Sequence, residues 1–518
     1  MYYKKIMYVI ILVIFSSQVF ADSWRPNQVG SFLSSKIARS MTDIENSAYF
    51  SEYSYNRNPD SFALAAIALE ALIANGQIIE ALPIGLKISK NMPEITLAQY
   101  ISMIDSLNAN SYSKVLDVLL NISPNGIDNF ILPILQTWAA AGSNKELGGL
   151  EIMKGQANRG VLDPLYDYQS ALIYEFIGDI ENAHISYKNI IKRSNNANAH
   201  VYSRAAIFFA NNNLPDLYTE TLNKLETIDP YSNELFILKK NENYAKETKI
   251  SNIKQGISEV FLNSAEILFN EGLDRQALIY AQISSYLEPK SDSANYLLGR
   301  IFKSINNNER AIKYFKKVNE YSLVIHDANI AYAETLYDIE GLSNSKEFLN
   351  NMKQSFPDNI NYLRTMAELF YKAEDFESSI QYYDLIFEKI DKIEFKHWPL
   401  FYSSGIALER GKNWERAEKQ FLTALQFVPN NPQVLNYLGY SWIDQGVNIN
   451  RALEMIVNAA EQRPDDGYII DSLGWAYFQI GNYEEAVINL EKAVALVSDS
   501  VIIDHLGDAL FYSGRKVE

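Results

Sequence analysis

The sequence predicts an all-α solenoid made of helix-turn-helix repeats. An anchor position recurs about every 34 residues along the 518-residue chain. From Ala171 onward the anchors are all alanine or glycine, which let neighbouring helices approach closely. Proline stands 24 residues after six of the anchors, where it would end a second helix because proline cannot continue one. The anchors are Ser35, Leu69, Met103, Thr137, Ala171, Ala206, Ala265, Gly299, Ala333, Ala367, Gly405, Gly439, Gly474 and Gly507.

Two further positions repeat in phase with the anchors. Small residues stand 12 positions later, as at Ala277, Ala311, Ala417 and Ala486. Apolar or aromatic residues stand three positions later, and we expect them to fill each helix pair: Phe209, Phe302, Phe370, Trp442 and Tyr477. A 34-residue period with these features is typical of the tetratricopeptide (TPR) repeat.

The spacing of the anchors predicts two blocks of repeats. Ala206 and Ala265 are 59 residues apart, which is 25 more than one period. We expect about six repeats, several of them degenerate, in 22–230, and about seven repeats plus a half repeat in 258–518. The segment 231–257 between them is predicted to be an insert or hinge. A degenerate helix that continues the stack is the alternative.

The first 21 residues have the pattern of a secretory signal peptide. Lys4 and Lys5 precede an apolar stretch from Ile6 to Phe15, and Ala21 closes a small-residue cleavage site. The alternative is an uncleaved N-terminal anchor. The chain has no cysteine, so neither lipidation of a cysteine nor a disulfide is expected. We therefore predict a periplasmic protein, soluble or peripheral to the envelope, with no membrane span after removal of residues 1–21.

The sequence contains no motif for catalysis, cofactor binding or metal binding. It lacks phosphate-binding glycine loops, HExxH and GxSxG, and its five histidines lie in different repeats. Asp465 and Asp466 precede Gly467 in a turn between repeats, where such residues are common for backbone reasons. The formal net charge of −17 disfavours nucleic acid as a partner. We predict no enzymatic activity, no cofactor and no metal.

The first helices of successive TPR repeats line a groove that binds partners. We expect residues three before, one after and five after an anchor to point into it. The predicted partner-binding residues are Tyr402, Asn436, Tyr440, Asp444, Asp471, Trp475, Asp504 and Asp508. This acidic and aromatic surface favours protein or peptide partners with basic or aromatic segments. Trp475 is either an exposed anchor or packs on the following helix near Asp504 and Phe511.

Three C-terminal segments carry a resemblance to a known family. Leu435–Gly446, Arg463–Tyr477 and Asp504–Gly514 resemble large exported TPR proteins of Gram-negative bacteria, especially the alphaproteobacterial type. The resemblance implies a non-enzymatic periplasmic scaffold. A related branch consists of outer-membrane lipoproteins that are adaptors for a periplasmic processing protease, and the absence of cysteine separates this chain from that branch.

We therefore predict a periplasmic scaffold or adaptor that binds protein partners. One alternative is substrate delivery to a periplasmic processing protease or envelope assembly machine. Another is the regulatory arm of a glycosyltransferase-type enzyme, which would require a catalytic domain after the repeats. The last helix is rich in apolar residues, including Val501, Ile503 and Phe511, which predicts an uncovered face and a dimer through the C-terminal helix.

Overall fold

The computed structural model describes residues 27–123, 125–143, 163–193, 199–240, 249–356 and 359–517. These residues form 27 α-helices and no strand, so the predicted all-α repeat fold is confirmed. The helices are α1 (Gln28–Ser40), α2 (Ile44–Arg57), α3 (Phe62–Ala74), α4 (Ile78–Asn91), α5 (Thr96–Asn108), α6 (Tyr112–Leu120), α7 (Asp128–Gly142), α8 (Asp163–Ile177), α9 (Ile180–Arg193), α10 (Ala199–Asn211), α11 (Pro215–Ile228), α12 (Asn233–Lys240), α13 (Ile253–Asn270), α14 (Asp274–Leu287), α15 (Asp292–Ser304), α16 (Asn308–Phe315), α17 (Ile325–Glu340), α18 (Leu342–Ser355), α19 (Ile360–Lys372), α20 (Phe376–Glu388), α21 (Trp398–Arg410), α22 (Trp414–Phe427), α23 (Pro432–Asp444), α24 (Ile449–Gln462), α25 (Gly467–Gln479), α26 (Tyr483–Leu496) and α27 (Ser500–Tyr512).

Local signals in the sequence define the helix ends. The Asn431 side chain accepts hydrogen bonds from the Gln433 and Val434 backbone amides at the start of α23, and Asp466 caps α25 in the same way. Pro429 lies two residues beyond the end of α22. The turn inside the repeat at Gly481 has φ +80°, a left-handed conformation that glycine adopts without strain. These repeats are therefore delimited by their own capping and turn residues, whereas α5 and α7 begin without a side-chain cap.

Small residues allow the two helices of a repeat to pack closely. A Cβ atom added to Gly299 in α15 would lie 2.3 Å from the Phe315 ring in α16, so a larger residue would separate the pair. The predicted small positions Ala277, Ala311 and Ala417 are fully buried in the same kind of contact. The anchors from Ser35 to Gly474 are thus buried, as the repeat pattern predicts, whereas the last anchor, Gly507, is exposed and a Cβ atom added to it would have no neighbour within 4 Å.

The chain divides into two compact units, residues 1–339 and 340–518. The predicted insert at 231–257 lies within the first unit, where the structure shows helix α12 and the beginning of α13. Residues 241–248, in the middle of that segment, lie outside the described residues. The proposed signal peptide, residues 1–21, also lies outside them, so the hinge and the signal peptide remain predictions.

Within the first unit, helices far apart in sequence pack on each other. The rings of Tyr100 in α5 and Phe261 in α13 make an edge-to-face contact at 5.2 Å. The hydroxyls of Tyr100 and Tyr280 both donate to Asp128 Oδ1, at 2.7 and 2.6 Å. Burial raises the pKa of Asp128, while the two tyrosine hydrogen bonds act to lower it. Helices α13 and α14 are therefore joined to α5 and α7 by an aromatic and hydrogen-bonded core.

Candidate functional site

The first unit uses its own helices to fill the face on which a groove is predicted. Glu70 stands one residue after the anchor Leu69, and its Oε1 lies 2.8 Å from Arg275 Nε in α14. Trp138 stands one residue after the anchor Thr137 and packs against Gly256 of α13. A Cβ atom added to Gly256 would lie only 2.4 Å from the indole. The expected groove positions of α3 and α7 therefore contact α14 and α13 of the same unit.

The same interface contains a buried polar cluster centred on His200, which the sequence presents only as an isolated histidine. His200 Nε2 lies 3.3 Å from Glu259 Oε1, and the Tyr168 hydroxyl donates to the same oxygen at 2.9 Å. Burial by itself would lower the pKa of His200, but Glu259, Glu234 and Glu266 outweigh burial and raise it to about 9. The cluster therefore holds a charged imidazolium at neutral pH.

The His200 cluster predicts an alkaline loss of stability. Because the pKa of His200 is higher in the folded chain than its ordinary 6.5, its stabilising contribution is complete below about pH 6.5 and is lost as the pH rises through about 9. We expect the melting temperature to fall across this range and His200→Gln to flatten the fall. Thermal melts of both proteins at pH 6.5, 7.5 and 9 check this. Equal slopes would show that His200 does not stabilise the folded state.

The second unit leaves a row of aromatic side chains partly exposed along its first helices. The half-buried Tyr402 ring contacts the Tyr437 ring edge-to-face at 6.1 Å, across α21 and α23. The Tyr437 hydroxyl donates to Glu409 Oε2 at 3.3 Å, and Arg410 Nε lies 3.7 Å from that oxygen. Burial, with a smaller contribution from Tyr371, raises the pKa of Tyr402 to about 12. These residues form one end of the predicted partner-binding surface, which runs from Tyr402 to Asp508 along the first helices of the second unit and which we call the unit-2 groove.

Asp471 and Trp475 are both more buried than an exposed binding residue would be. Of the two arrangements predicted for Trp475, the structure does not show the exposed anchor. Asp471 is buried, and its Oδ1 lies 2.9 Å from His505 Nδ1 in α27. The half-buried Trp475 indole stacks on His505 with 4.1 Å between ring centroids, and on Phe478 at 4.8 Å. Trp475 therefore packs on the following helix through His505, and Asp471 orients that histidine. Both residues support α27 as well as lining the groove.

The middle of the unit-2 groove is formed by α23. Asn436 and Tyr440 are half-buried, one turn apart, and Asp444 is exposed one turn further on. Asn436 Oδ1 and Trp475 Nε1 are buried and have no hydrogen-bond partner among the described residues. Burial raises the pKa of Tyr440, and Asp444 and Asp471 add to the rise. The surroundings of Tyr440 are therefore both apolar and negatively charged.

Asp504 and Asp508 continue the unit-2 groove on α27. Both are exposed. Among the described residues, neither they nor Asp444 form an ion pair, whereas Glu409 and Asp471 each have a cationic or imidazole neighbour. The groove thus retains three uncompensated carboxylates. The groove therefore has a local excess of negative charge, and the chain as a whole is also negatively charged.

Three contributors to the groove were missed by sequence reasoning. Arg410 stands five residues after the anchor Gly405, so the spacing rule could have found it. Tyr437 and His505 stand two residues before their anchors, a position that the rule omits. That position faces the boundary between adjacent first helices, which is why both side chains contact residues of the neighbouring repeat.

The described residues contain no group of three or more His, Cys, Asp or Glu side chains that could hold a metal ion. The Asp466 carboxylate accepts hydrogen bonds from the backbone amides of Tyr468 and Ile469, so it serves as a helix cap.

Among the described helices, none combines the length and the apolar character that crossing a membrane requires.

Sequence comparisons identify the repeat type. A tetratricopeptide repeat family profile matches residues 292–323 and 470–496. The chain is also 23% identical over 221 residues to the TPR repeat-containing protein PA4667 of Pseudomonas aeruginosa, covering 42% of this chain and 36% of that protein. The match therefore spans about a third of the length of this curated relative.

Structural comparisons find remote likenesses to solved structures. The Cut9-Hcn1 hetero-tetramer of the APC/C has a TM-score of 0.39 at 11% identity, covering 96% of this chain and 99% of the matched chain. The Naa15/Naa10 structure bound to HypK-THB has a TM-score of 0.37 at 11% identity, covering 97% and 93%. The fold and the repeat sequence together identify the chain as one that contains tetratricopeptide repeats arranged in a helical solenoid.

Proposed function

We propose that this chain is a non-catalytic scaffold or adaptor that binds a protein partner through the unit-2 groove. One observation carries the proposal: the second unit has partly exposed aromatic side chains beside carboxylates that form no ion pair with the described residues, whereas in the first unit α13 and α14 pack on the corresponding face of α3, α5 and α7. A partly exposed aromatic surface with a charged rim is the composition that protein interfaces favour. The fold supports this role because repeat solenoids present extended binding surfaces.

The chemistry of the unit-2 groove favours a particular class of partner. Uncompensated Asp444, Asp504 and Asp508 favour a segment that carries lysine or arginine, and the tyrosine row favours aromatic or apolar side chains between them. An extended peptide or a single helix of a larger protein can satisfy both requirements. The periplasmic location is part of the same proposal and is supported by residues 1–21; N-terminal sequencing of the exported protein tests it, with an intact Met1 as the contrary result.

A dimer through α27 is the second assembly consistent with the surface of this unit. Val501, Ile503 and Phe511 are all more than half exposed on that helix. Burying such residues against a second copy would be favourable. Light scattering on the purified protein tests this part, and a monomer at all concentrations would exclude it.

Charge reversal in the groove tests the binding function. We expect Asp504→Lys with Asp508→Lys to reduce partner capture at least about tenfold, because like charges would then face the partner's basic residues. Neither side chain forms an ion pair with the described residues, so the fold should be unchanged. Tagged protein is incubated with cell-envelope extract, and captured proteins are quantified by mass spectrometry.

The matched control is Glu454→Lys with Glu461→Lys. These exposed residues lie on α24, the second helix of its repeat, and undergo the same change of charge. Capture should be retained by this control. Equal capture by all three proteins would refute binding through the unit-2 groove, and a change in circular dichroism would identify a folding defect.

A further inference from the structure

Tyr440 lies in the middle of the unit-2 groove, and its ring has no aromatic or cationic stacking partner among the described residues. It lies on α23, between Arg410 and Glu409 of α21 and Asp471 of α25, all of which influence its ionisation. The ring is half-buried, so a group that stacked on it would be partly shielded from water.

Other aromatic rings of the second unit are covered by cations from the same chain. Arg451 lies over the Trp442 ring at 5.3 Å, and Lys346 lies over Phe370 at 5.1 Å. A cation above an aromatic ring is attracted by the negative charge on the ring face. Among the described residues, no cation lies over the Tyr440 ring.

The carboxylates around Tyr440 make this position favourable for a positive charge. Asp444 follows Tyr440 by one helical turn, is exposed, and has no ion-pair partner among the described residues. Glu409 is shared between Arg410 and Tyr437, and Asp471 is directed at His505. Asp444 is therefore the carboxylate left to neutralise an incoming cation.

We infer that the unit-2 groove contains a cation subsite in which a lysine or arginine side chain of the partner stacks on Tyr440 and pairs with Asp444. The inference rests on the proposed binding function and adds its specificity-determining residue. The occupant is thus an extended basic peptide segment of a partner protein.

Fluorescence anisotropy with synthetic probes tests the subsite. The probe is a fluorescein-labelled ten-residue peptide of alternating lysine and serine, and the comparison peptide has norleucine in place of lysine. We expect the norleucine peptide to bind at least about tenfold more weakly, because it lacks the charge that the ring and the carboxylate attract. Binding of the lysine peptide should also weaken in 0.5 M salt, since the ion pair at Asp444 is partly exposed.

Variants of the full chain separate the ring from the hydroxyl. Tyr440→Phe keeps the aromatic face and should bind the lysine peptide within about twofold of the wild type. Tyr440→Leu should weaken binding about tenfold, and Asp444→Asn about fivefold. Glu454→Gln on α24 removes one exposed charge elsewhere in the unit and should have no effect. Thermal melts of each variant identify folding defects.

The outcomes distinguish the subsite from the general function. Equal binding of the lysine and norleucine peptides, or no effect of Tyr440→Leu, would refute the cation subsite, even where Asp504→Lys with Asp508→Lys still blocks partner capture. Absence of binding by either peptide also refutes it. Loss with Tyr440→Phe equal to that with Tyr440→Leu would assign the contact to the hydroxyl, and the stacking proposal would fail.

Discussion

Replacing Trp138 by alanine should destabilise the first unit by about 3–5 kcal/mol. The indole is fully buried, and its Nε1 donates to Gln169 Oε1 at 2.9 Å. Its ring also packs against Gly256 of α13 and contacts Phe176 at 5.6 Å. The substitution therefore removes a side chain of α7 that contacts both α8 and α13. It leaves a cavity, and Gln169 Oε1 loses its hydrogen-bond donor.

Denaturant titration followed by circular dichroism measures this loss. Tyr321→Ala is the control, because Tyr321 is an aromatic residue of the same unit that is 68% exposed. It should change the free energy of unfolding by less than about 1 kcal/mol. Similar effects of the two substitutions would show that the packing of α13 on α7 does not stabilise the first unit.

Replacing Asp471 by lysine should destabilise the second unit by about 3–5 kcal/mol, because it removes one partner of a buried hydrogen-bonded pair and buries an unpaired charge. Asp471 is 8% exposed and lies 2.9 Å from His505 Nδ1. The substitution would place a lysine next to the imidazole on which Trp475 stacks. We expect α27 to lose its packing on α25.

Thermal melting and limited proteolysis check this result. Asp508→Lys is the control, since it makes the same change of charge at an exposed residue of the same surface. A protease should cleave α27 earlier in Asp471→Lys than in Asp508→Lys. Equal stability of both variants would mean that the pair with His505 contributes little. Charge reversals at Asp504 and Asp508 are therefore better probes of binding than changes at Asp471 or Trp475.

The repeat pattern was sufficient to predict the core of each helix pair. Gly299 faces Phe315, and Ala417 is fully buried, because a position where two helices meet admits only a small residue wherever it occurs. The helix exit at Pro429 and the turn at Asp466 were also predictable, since turns and helix termination depend on neighbours within a few residues.

The candidate site was predicted less completely. The spacing rule selected Tyr440, Asp444, Asp504 and Asp508, all of which are exposed or half-buried in the structure. It also selected Asp471 without indicating its pairing with His505, because that contact depends on the angle between adjacent first helices. A side chain at the boundary between repeats contacts two adjacent first helices, whereas the spacing rule considers each first helix by itself.

The sequence by itself determined that the chain is an all-α repeat protein, which residues form the core of each helix pair, and that its last repeats carry acidic and aromatic residues. Only the tertiary structure decided that α13 and α14 pack on α3, α5 and α7 and occupy the face where a groove was expected in the first unit. The physical reason is the range of the interactions. Helix pairing is encoded within about 34 residues and repeats, whereas the contact of Glu70 with Arg275 joins residues 205 apart and leaves no periodic signal in the sequence.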